Sequence, residues 1–169
     1  WFGERNDDTA GLGDWYVNKE KFPYGLSSLI SYVNKLGMDF GIWVEPEMVN
    51  KNSKLYNSHP DWVYHFPNRP RSESRNQLVL NLAKKEVAEY IYDFMNKLLD
   101  SYNIKFIKWD MNRSFSEPGW LEVPKSRQQE IWVRHVKGLY QILDRLRKKY
   151  PKVIFESCSG GGGRVDLGI

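Results

Sequence analysis

The sequence predicts an α/β fold in which parallel strands alternate with helices. Three stretches carry apolar residues at helical spacing, three short apolar runs are typical of buried strands, and the two kinds of segment alternate along the chain. Helical crossovers of this length join parallel strands. Two arrangements remain open: a doubly wound sheet, and a (β/α)8 TIM barrel, which needs about 250 residues and of which this chain would form part.

Each helix is predicted by a stripe of apolar residues three or four positions apart. The first stripe is followed by Gly37, a residue typical of the position just beyond a helix, and the third is closed by Pro151. The stripes are Leu26, Leu29, Ile30, Val33 and Leu36; Val87, Ile91, Phe94, Met95 and Leu98; and Trp132, Val136, Leu139, Leu143 and Leu146.

Three short apolar runs between the helices predict the strands. They are residues 40–44, 104–109 and 153–155. Trp1 and Phe2 are a candidate for the end of an earlier strand. Residues 46–76 form a long stretch that we expect to be irregular, as an active-site loop often is.

Composition narrows the class of protein. The chain has 169 residues, a net charge of +4, three histidines without metal-ligand spacing and no apolar run long enough for a membrane span. We expect no metal and no cofactor. We also expect no nucleic-acid partner, because the basic residues 145–152 fit the solvated end of a helix. The single cysteine, Cys158, excludes an internal disulfide and fits a cytoplasmic location. We expect the chain to be a segment of a longer protein.

Polar residues follow all three predicted strands. In parallel α/β folds the carboxyl ends of the strands meet at one edge, where ligands bind. We therefore expect these residues to form a site. They are Glu45 and Glu47; Asp110, Asn112 and Arg113; and Glu156, Ser157, Cys158 and Ser159.

The sharpest candidate is Asp110. Because side chains alternate along a strand, Lys108, Asp110 and Asn112 share one face. A lysine beside Asp110 would pair with it and keep the aspartate ionised, as a nucleophile requires. The alternative is that Asp110 caps the following turn and Lys108 neutralises it.

The remaining candidates have two interpretations each. Glu45 and Glu47 could provide an acid or base, or could bond backbone amides of the loop that follows them. Cys158 could be a catalytic thiol or a small residue in the wall of the site. Glycines 160–163 lack the ending of a phosphate-binding loop and favour close approach of the backbone to a ligand or a strand.

Four segments together resemble the bacterial α-galactosidases of glycoside hydrolase family 36. They are WFGERNDD (1–8), GIWVEPEMV (41–49), KWDMNR (108–113) and ESCSGGGGR (156–164), in the order found in that family. The resemblance covers essentially the whole chain. It implies a central portion of a catalytic (β/α)8 barrel within a larger protein whose flanking domains are not present here.

The resemblance also implies roles for individual residues. Asp110 would be the nucleophile of a retaining reaction that removes terminal α-linked galactose from oligosaccharides such as melibiose and raffinose. The substrate-binding residues would be Trp43, Arg75, Lys108, Asn112, Cys158 and Gly161. The family's acid/base aspartate would lie beyond Ile169, and its paired galactose-binding aspartates upstream of Trp1, so Asp7 and Asp8 are not these residues.

Three rival functions remain. A related barrel enzyme could act on α-N-acetylgalactosaminides, or could transfer galactose as a raffinose synthase does. The rival from another class is a non-catalytic carbohydrate-binding fragment. Members of the family are often oligomers, so the longer protein is a candidate homo-oligomer.

Overall fold

The computed structural model describes residues 1–160 and 166–169. The strands are β1 (Gly41–Val44), β2 (Met48–Val49), β3 (Leu78–Val79), β4 (Phe106–Trp109) and β5 (Ile154–Ser157). The helices are α1 (Ser27–Lys35), α2 (Lys54–Ser58), α3 (Lys85–Ser101) and α4 (Glu130–Lys149). None of these helices is long and apolar enough to cross a membrane.

The main sheet has three parallel strands in the order β1-β4-β5, which is also their order along the chain. The crossover helices α3 and α4 pack against each other, so both lie on the same face of the sheet. A doubly wound sheet reverses direction and places helices on both faces. The α/β prediction is confirmed, and the arrangement is that of consecutive units of a (β/α)8 barrel.

The core lies between this sheet and its helices. Ile107 and Trp109 of β4 are buried on the helix side, whereas Lys108 between them points to the opposite face. From α3, the core receives the predicted residues Val87, Ile91, Met95 and Leu98, together with Leu99. Burial of this apolar stripe holds the helix on the sheet.

The predicted stripe of α4 is wrong at its N-terminal end. Trp132 and Val136 are exposed, and the buried residues one position earlier are Ile131 and His135. Two adjacent stripes of this helix are apolar, so periodicity alone could not select the core face. Trp132 instead packs against Phe115 with ring centroids 4.6 Å apart. Likewise, in the α1 stripe Leu29 and Leu36 are exposed.

Residues 46–76 are not irregular throughout, contrary to expectation. They contain β2, α2 and a 3-10 helix, Pro60–Trp62, and β2 pairs with β3 in an antiparallel ladder. The Ser53 hydroxyl accepts a hydrogen bond from Tyr56 N and caps α2. Such short elements bury too few residues to leave a periodic signal in the sequence.

The suggested early strand at Trp1 and Phe2 is not among the strands that the structure describes. Phe2 forms an isolated antiparallel bridge with Val17 rather than joining the parallel sheet. The Trp1 indole donates to the Trp43 carbonyl oxygen at 2.8 Å, which fastens the N-terminal segment to β1.

We predict that Gly138→Ala destabilises the fold. A methyl group at this position of α4 would lie 2.2 Å from the Leu82 carbonyl oxygen, so the helix would have to move. Such overpacking costs about 1–3 kcal/mol. The midpoint of thermal unfolding of the full-length protein should fall by several degrees, whereas Lys137→Ala, at the exposed neighbouring position, should leave it unchanged. Equal midpoints for wild type and Gly138→Ala would contradict this close contact.

Candidate functional site

The candidate site lies at the carboxyl ends of the three parallel strands. Glu45, Asp110 and Cys158 directly follow strand residues that are in register with one another. The ladder continues one residue further, because Asp110 N donates to the Val44 carbonyl and Cys158 N donates to the Trp109 carbonyl, each at 2.8 Å. The backbone of Asp110 is therefore fixed before its side chain makes any contact.

Four donors surround the Asp110 carboxylate. Oδ2 accepts hydrogen bonds from Trp43 Nε1 at 3.0 Å and from Asn112 Nδ2 at 2.6 Å. Oδ1 accepts one from Met111 N at 2.9 Å, and the Cys158 thiol also bonds the carboxylate. The strand ends predicted Asp110, Asn112 and Cys158 in one site, and the family resemblance added Trp43. The structure places these four side chains together.

These bonds keep Asp110 ionised. Burial alone would raise the pKa of this carboxyl, but the hydrogen bonds from Trp43, Asn112, Cys158 and Met111 outweigh burial and lower its pKa below the ordinary value. The same contact acts in the opposite direction on its partner. The hydrogen bond to Asp110, with burial, raises the pKa of the Cys158 thiol. A protonated thiol fits a donor in the wall of the site better than a nucleophile.

The expected Lys108–Asp110 pair is wrong. Lys108 Nζ lies 2.7 Å from Glu156 Oε1, and this ion pair raises the lysine's pKa. Lys108 and Glu156 are direct partners across β4 and β5, whereas Asp110 lies two residues further along the strand. With its side chain 41% exposed, Lys108 also avoids the cost of burial that favoured a pairing with Asp110.

Glu45 and Glu47 are buried structural groups. Glu45 Oε1 accepts from Asn112 N at 2.5 Å, and its Oε2 accepts from Gln77 Nε2 at 3.1 Å. Glu47 Oε1 accepts from Trp109 Nε1 at 2.8 Å. Glu45 thus bonds a backbone amide after β4, not one in the loop following β1 as expected. Burial and the Asp110 charge raise the pKa of Glu45.

Arg75 lies in a tight turn near this network. Ser74 and Gln77 pair as the ends of the turn, and Arg75 and Asn76 between them both have positive φ, 56° and 60°. Two central residues in the left-handed region are typical of a type I′ turn, which non-glycine residues adopt at a cost. The exposed Arg75 side chain is near enough to Glu45 for its charge to lower that carboxyl's pKa.

Asn50 was missed by sequence reasoning. Its fully buried amide accepts from Leu12 N at 2.8 Å and from Arg5 Nη1 at 3.1 Å. It donates to the carbonyl oxygens of Asn76 at 2.7 Å and Asp8 at 3.2 Å. One side chain therefore joins the N-terminal segment to the turn that carries Arg75. No local pattern marks a lone asparagine in a loop as such a connection.

The other predicted site features are less informative. Gly161 lies outside the described residues. Asp7 and Asp8 are exposed, and Asp7 accepts from Thr9 within its own turn. Within residues 1–160 and 166–169, no cluster of His, Cys, Asp or Glu side chains is arranged to hold a metal ion.

Comparison with known proteins gives consistent matches over the whole chain. The sequence pattern of the Melibiase family matches residues 1–169. The chain is 53% identical over 169 residues to α-galactosidase AgaA of Geobacillus stearothermophilus, covering 100% of this chain and 23% of that protein. It is 50% identical over 168 residues to α-galactosidase Mel36A of Lactobacillus acidophilus, covering 99% and 23%. The chain thus spans about a quarter of the length of these relatives.

Solved structures give the same result. The crystal structure of the GH36 α-galactosidase AgaA matches with a TM-score of 0.95 and 53% identity, covering 99% of this chain and 23% of that one. A variant of the same enzyme in complex with raffinose matches with the same TM-score, identity and coverage.

We predict that Asn50→Ala destabilises the protein. The change leaves the buried Leu12 amide without its acceptor, and an unsatisfied buried donor costs about 1–3 kcal/mol. The thermal midpoint of the full-length protein should fall clearly. Asn52→Ala is the matched control, because Asn52 is exposed and accepts from Gly11 N through its backbone carbonyl. A midpoint for Asn50→Ala equal to that of Asn52→Ala would count against the proposed connection.

Proposed function

This chain belongs to the Melibiase family, and we propose that it is the central portion of the catalytic (β/α)8 barrel of a retaining α-galactosidase. The substrates would be oligosaccharides that end in α-linked galactose, of the melibiose and raffinose type. The observation that carries the proposal is the ionised Asp110 carboxylate, held by four donors at the carboxyl ends of parallel strands. The relatives named as α-galactosidases support it.

In the proposed reaction Asp110 attacks the anomeric carbon of the galactose. The bond from that carbon to the leaving oxygen breaks, a second carboxyl group protonates the oxygen, and a galactosyl ester forms on Asp110. Water then attacks the same carbon while the second carboxylate takes its proton, and Asp110 is released. Two inversions give net retention. Neither step needs a metal or an organic cofactor.

The second carboxyl group belongs, on this proposal, to a part of the longer protein beyond residue 169. The other carboxylates that end or follow the three strands are already engaged. Glu45 and Glu47 are buried at 1% and 0% exposure and accept hydrogen bonds from other elements. Glu156 is ion-paired with Lys108.

The same surface provides groups for sugar recognition. Lys108 is half-exposed and retains protons beyond the one directed at Glu156, and the exposed Arg75 guanidinium offers several donors. Trp43 is partly buried and presents a flat ring beside Asp110. Asn112, Cys158 and Gly161 complete the proposed galactose contacts. We also propose a cytoplasmic, homo-oligomeric protein.

We predict that Asp110→Ala in the full-length protein lowers kcat on nitrophenyl α-galactoside by about 10⁴-fold or more, as loss of a nucleophile does in other covalent enzymes. Azide should restore turnover and give the β-galactosyl azide, because a single displacement inverts the anomeric centre. Asp39→Ala, an exposed aspartate ahead of β1, is the control and should retain wild-type rates.

Wild-type turnover by Asp110→Ala would refute the assignment. A panel of nitrophenyl glycosides separates the remaining functions. Cleavage of the α-N-acetylgalactosaminide in preference to the galactoside would indicate that related enzyme, and new oligosaccharides at high donor concentration would indicate a transferase. Galactose binding without turnover would indicate a carbohydrate-binding protein.

We predict that Trp43→Phe raises the pKa of Asp110. The change removes an indole donor that stabilises the charged carboxylate, so the proton is lost at higher pH. As the pH is lowered, kcat/KM declines, and this decline is the acid limb of the pH profile. In Trp43→Phe the acid limb should begin at a higher pH than in wild type. Trp62→Phe is the control, since Trp62 stacks on His59 in the loop. An acid limb that stays in place in Trp43→Phe would contradict this role of the indole.

A further inference from the structure

We propose that Glu45 is a positioning residue whose single buried carboxylate fixes both the side chain that holds Asp110 and the turn that carries Arg75. The inference rests on the proposed function and deepens it. Glu45 acts through Asn112, itself a proposed galactose contact, on one side and through Gln77 on the other.

The first connection leads to the nucleophile. Glu45 Oε1 accepts from Asn112 N at 2.5 Å, and the Asn112 side chain donates to Asp110 Oδ2 at 2.6 Å. Both Asn112 bonds arise three residues beyond the end of β4, where the sheet ladder no longer fixes the chain. The Glu45 carboxylate supplies that missing acceptor, so the position of the Asn112 amide group depends on it.

The second connection leads to the substrate-binding turn. Glu45 Oε2 accepts from Gln77 Nε2 at 3.1 Å, and Gln77 N donates to the Ser74 carbonyl oxygen at 3.0 Å to close the turn. Arg75 inside this turn has a left-handed backbone, which persists in a non-glycine residue when its surroundings hold it. Gln77 is 3% exposed, and its bond to Glu45 is a buried anchor of the turn.

Three charged neighbours act on the Glu45 carboxylate. Asp110 and Arg75 face Glu45 from the ends of β4 and from the turn, and Arg5 faces it from the N-terminal segment. Burial and the Asp110 charge raise the pKa of Glu45, while the Asn112 hydrogen bonds and Arg75 oppose the rise. Because Glu45 has a raised pKa and Asp110 a lowered one, Glu45 is already neutral over the pH range in which Asp110 takes up its proton, so the two carboxylates repel each other only above that range.

The test compares Glu45→Gln with Glu47→Gln in the full-length protein. Glu47 is the matched control, because it is an equally buried glutamate at the same strand end that bonds the Trp109 indole and not Asn112. Glu45→Gln should lower kcat/KM on nitrophenyl α-galactoside by about 10²-fold, the loss expected from a small misplacement of reacting groups. Its acid limb should move to higher pH, because a displaced Asn112 no longer donates to Asp110 Oδ2 and the charged carboxylate loses that stabilisation. Glu47→Gln should lower the thermal midpoint and leave the acid limb in place.

A second variant separates the two connections. Gln77→Leu leaves the Glu45–Asn112 bond intact and cuts the link to the turn, so KM should rise by about tenfold, the effect of roughly one lost hydrogen bond. Its kcat and acid limb should remain those of wild type. An unchanged KM in Gln77→Leu would refute the connection to Arg75.

Two results would overturn the role of Glu45. One is an acid limb of Glu45→Gln equal to that of Glu47→Gln, and the other is a crystal structure of Glu45→Gln with Asn112 and residues 74–77 in their wild-type positions. If the wild-type protein cleaves no nitrophenyl α-glycoside, the proposed function fails by itself. The crystal structure then decides the positioning role alone, since displacement of both segments supports it without any measurement of activity.

Discussion

The site depends on one interaction, the solvation of the Asp110 carboxylate by protein donors instead of water. Asp110 is 6% exposed, and burial alone would favour its neutral form. Donors from β1, from the segment after β4 and from the end of β5 reverse that effect. These donors meet because the three parallel strands end in register, so the sheet and the charge state of the proposed nucleophile are parts of one arrangement.

The segments beyond the strand ends need a second layer of support. Glu45, Glu47 and Asn50 lie within six residues of one another and are all buried. Each joins its segment to a different neighbour: Glu45 to Asn112 and Gln77, Glu47 to Trp109, and Asn50 to the N-terminal segment and Asn76. Polar groups buried in this way stabilise a structure when their partners are in place, and they fix those partners in return.

The sequence predicted the alternation of elements and the ends of β1 and β4, because apolar periodicity and strand geometry are local properties. It ended the third strand at Phe155, whereas β5 continues to Ser157, so Glu156 and Ser157 lie in the strand rather than after it. The resemblance to family 36 α-galactosidases is confirmed. The partner of Lys108 was not predictable from spacing, since Glu156 lies opposite it on another strand. The core face of α4 was ambiguous because Trp132 and Ile131 are both apolar. Asn50, Gln77 and the bonds of Glu45 arise from contacts distant in sequence, which leave no pattern along the chain.

The most direct test of Asp110 as the nucleophile is intact-mass analysis of the full-length protein after treatment with a fluorinated galactosyl inactivator, followed by peptide mapping. We predict one galactosyl adduct per chain, on the peptide that contains Asp110. An adduct on another carboxylate, or no adduct in a protein that also leaves nitrophenyl α-galactoside intact, would contradict it.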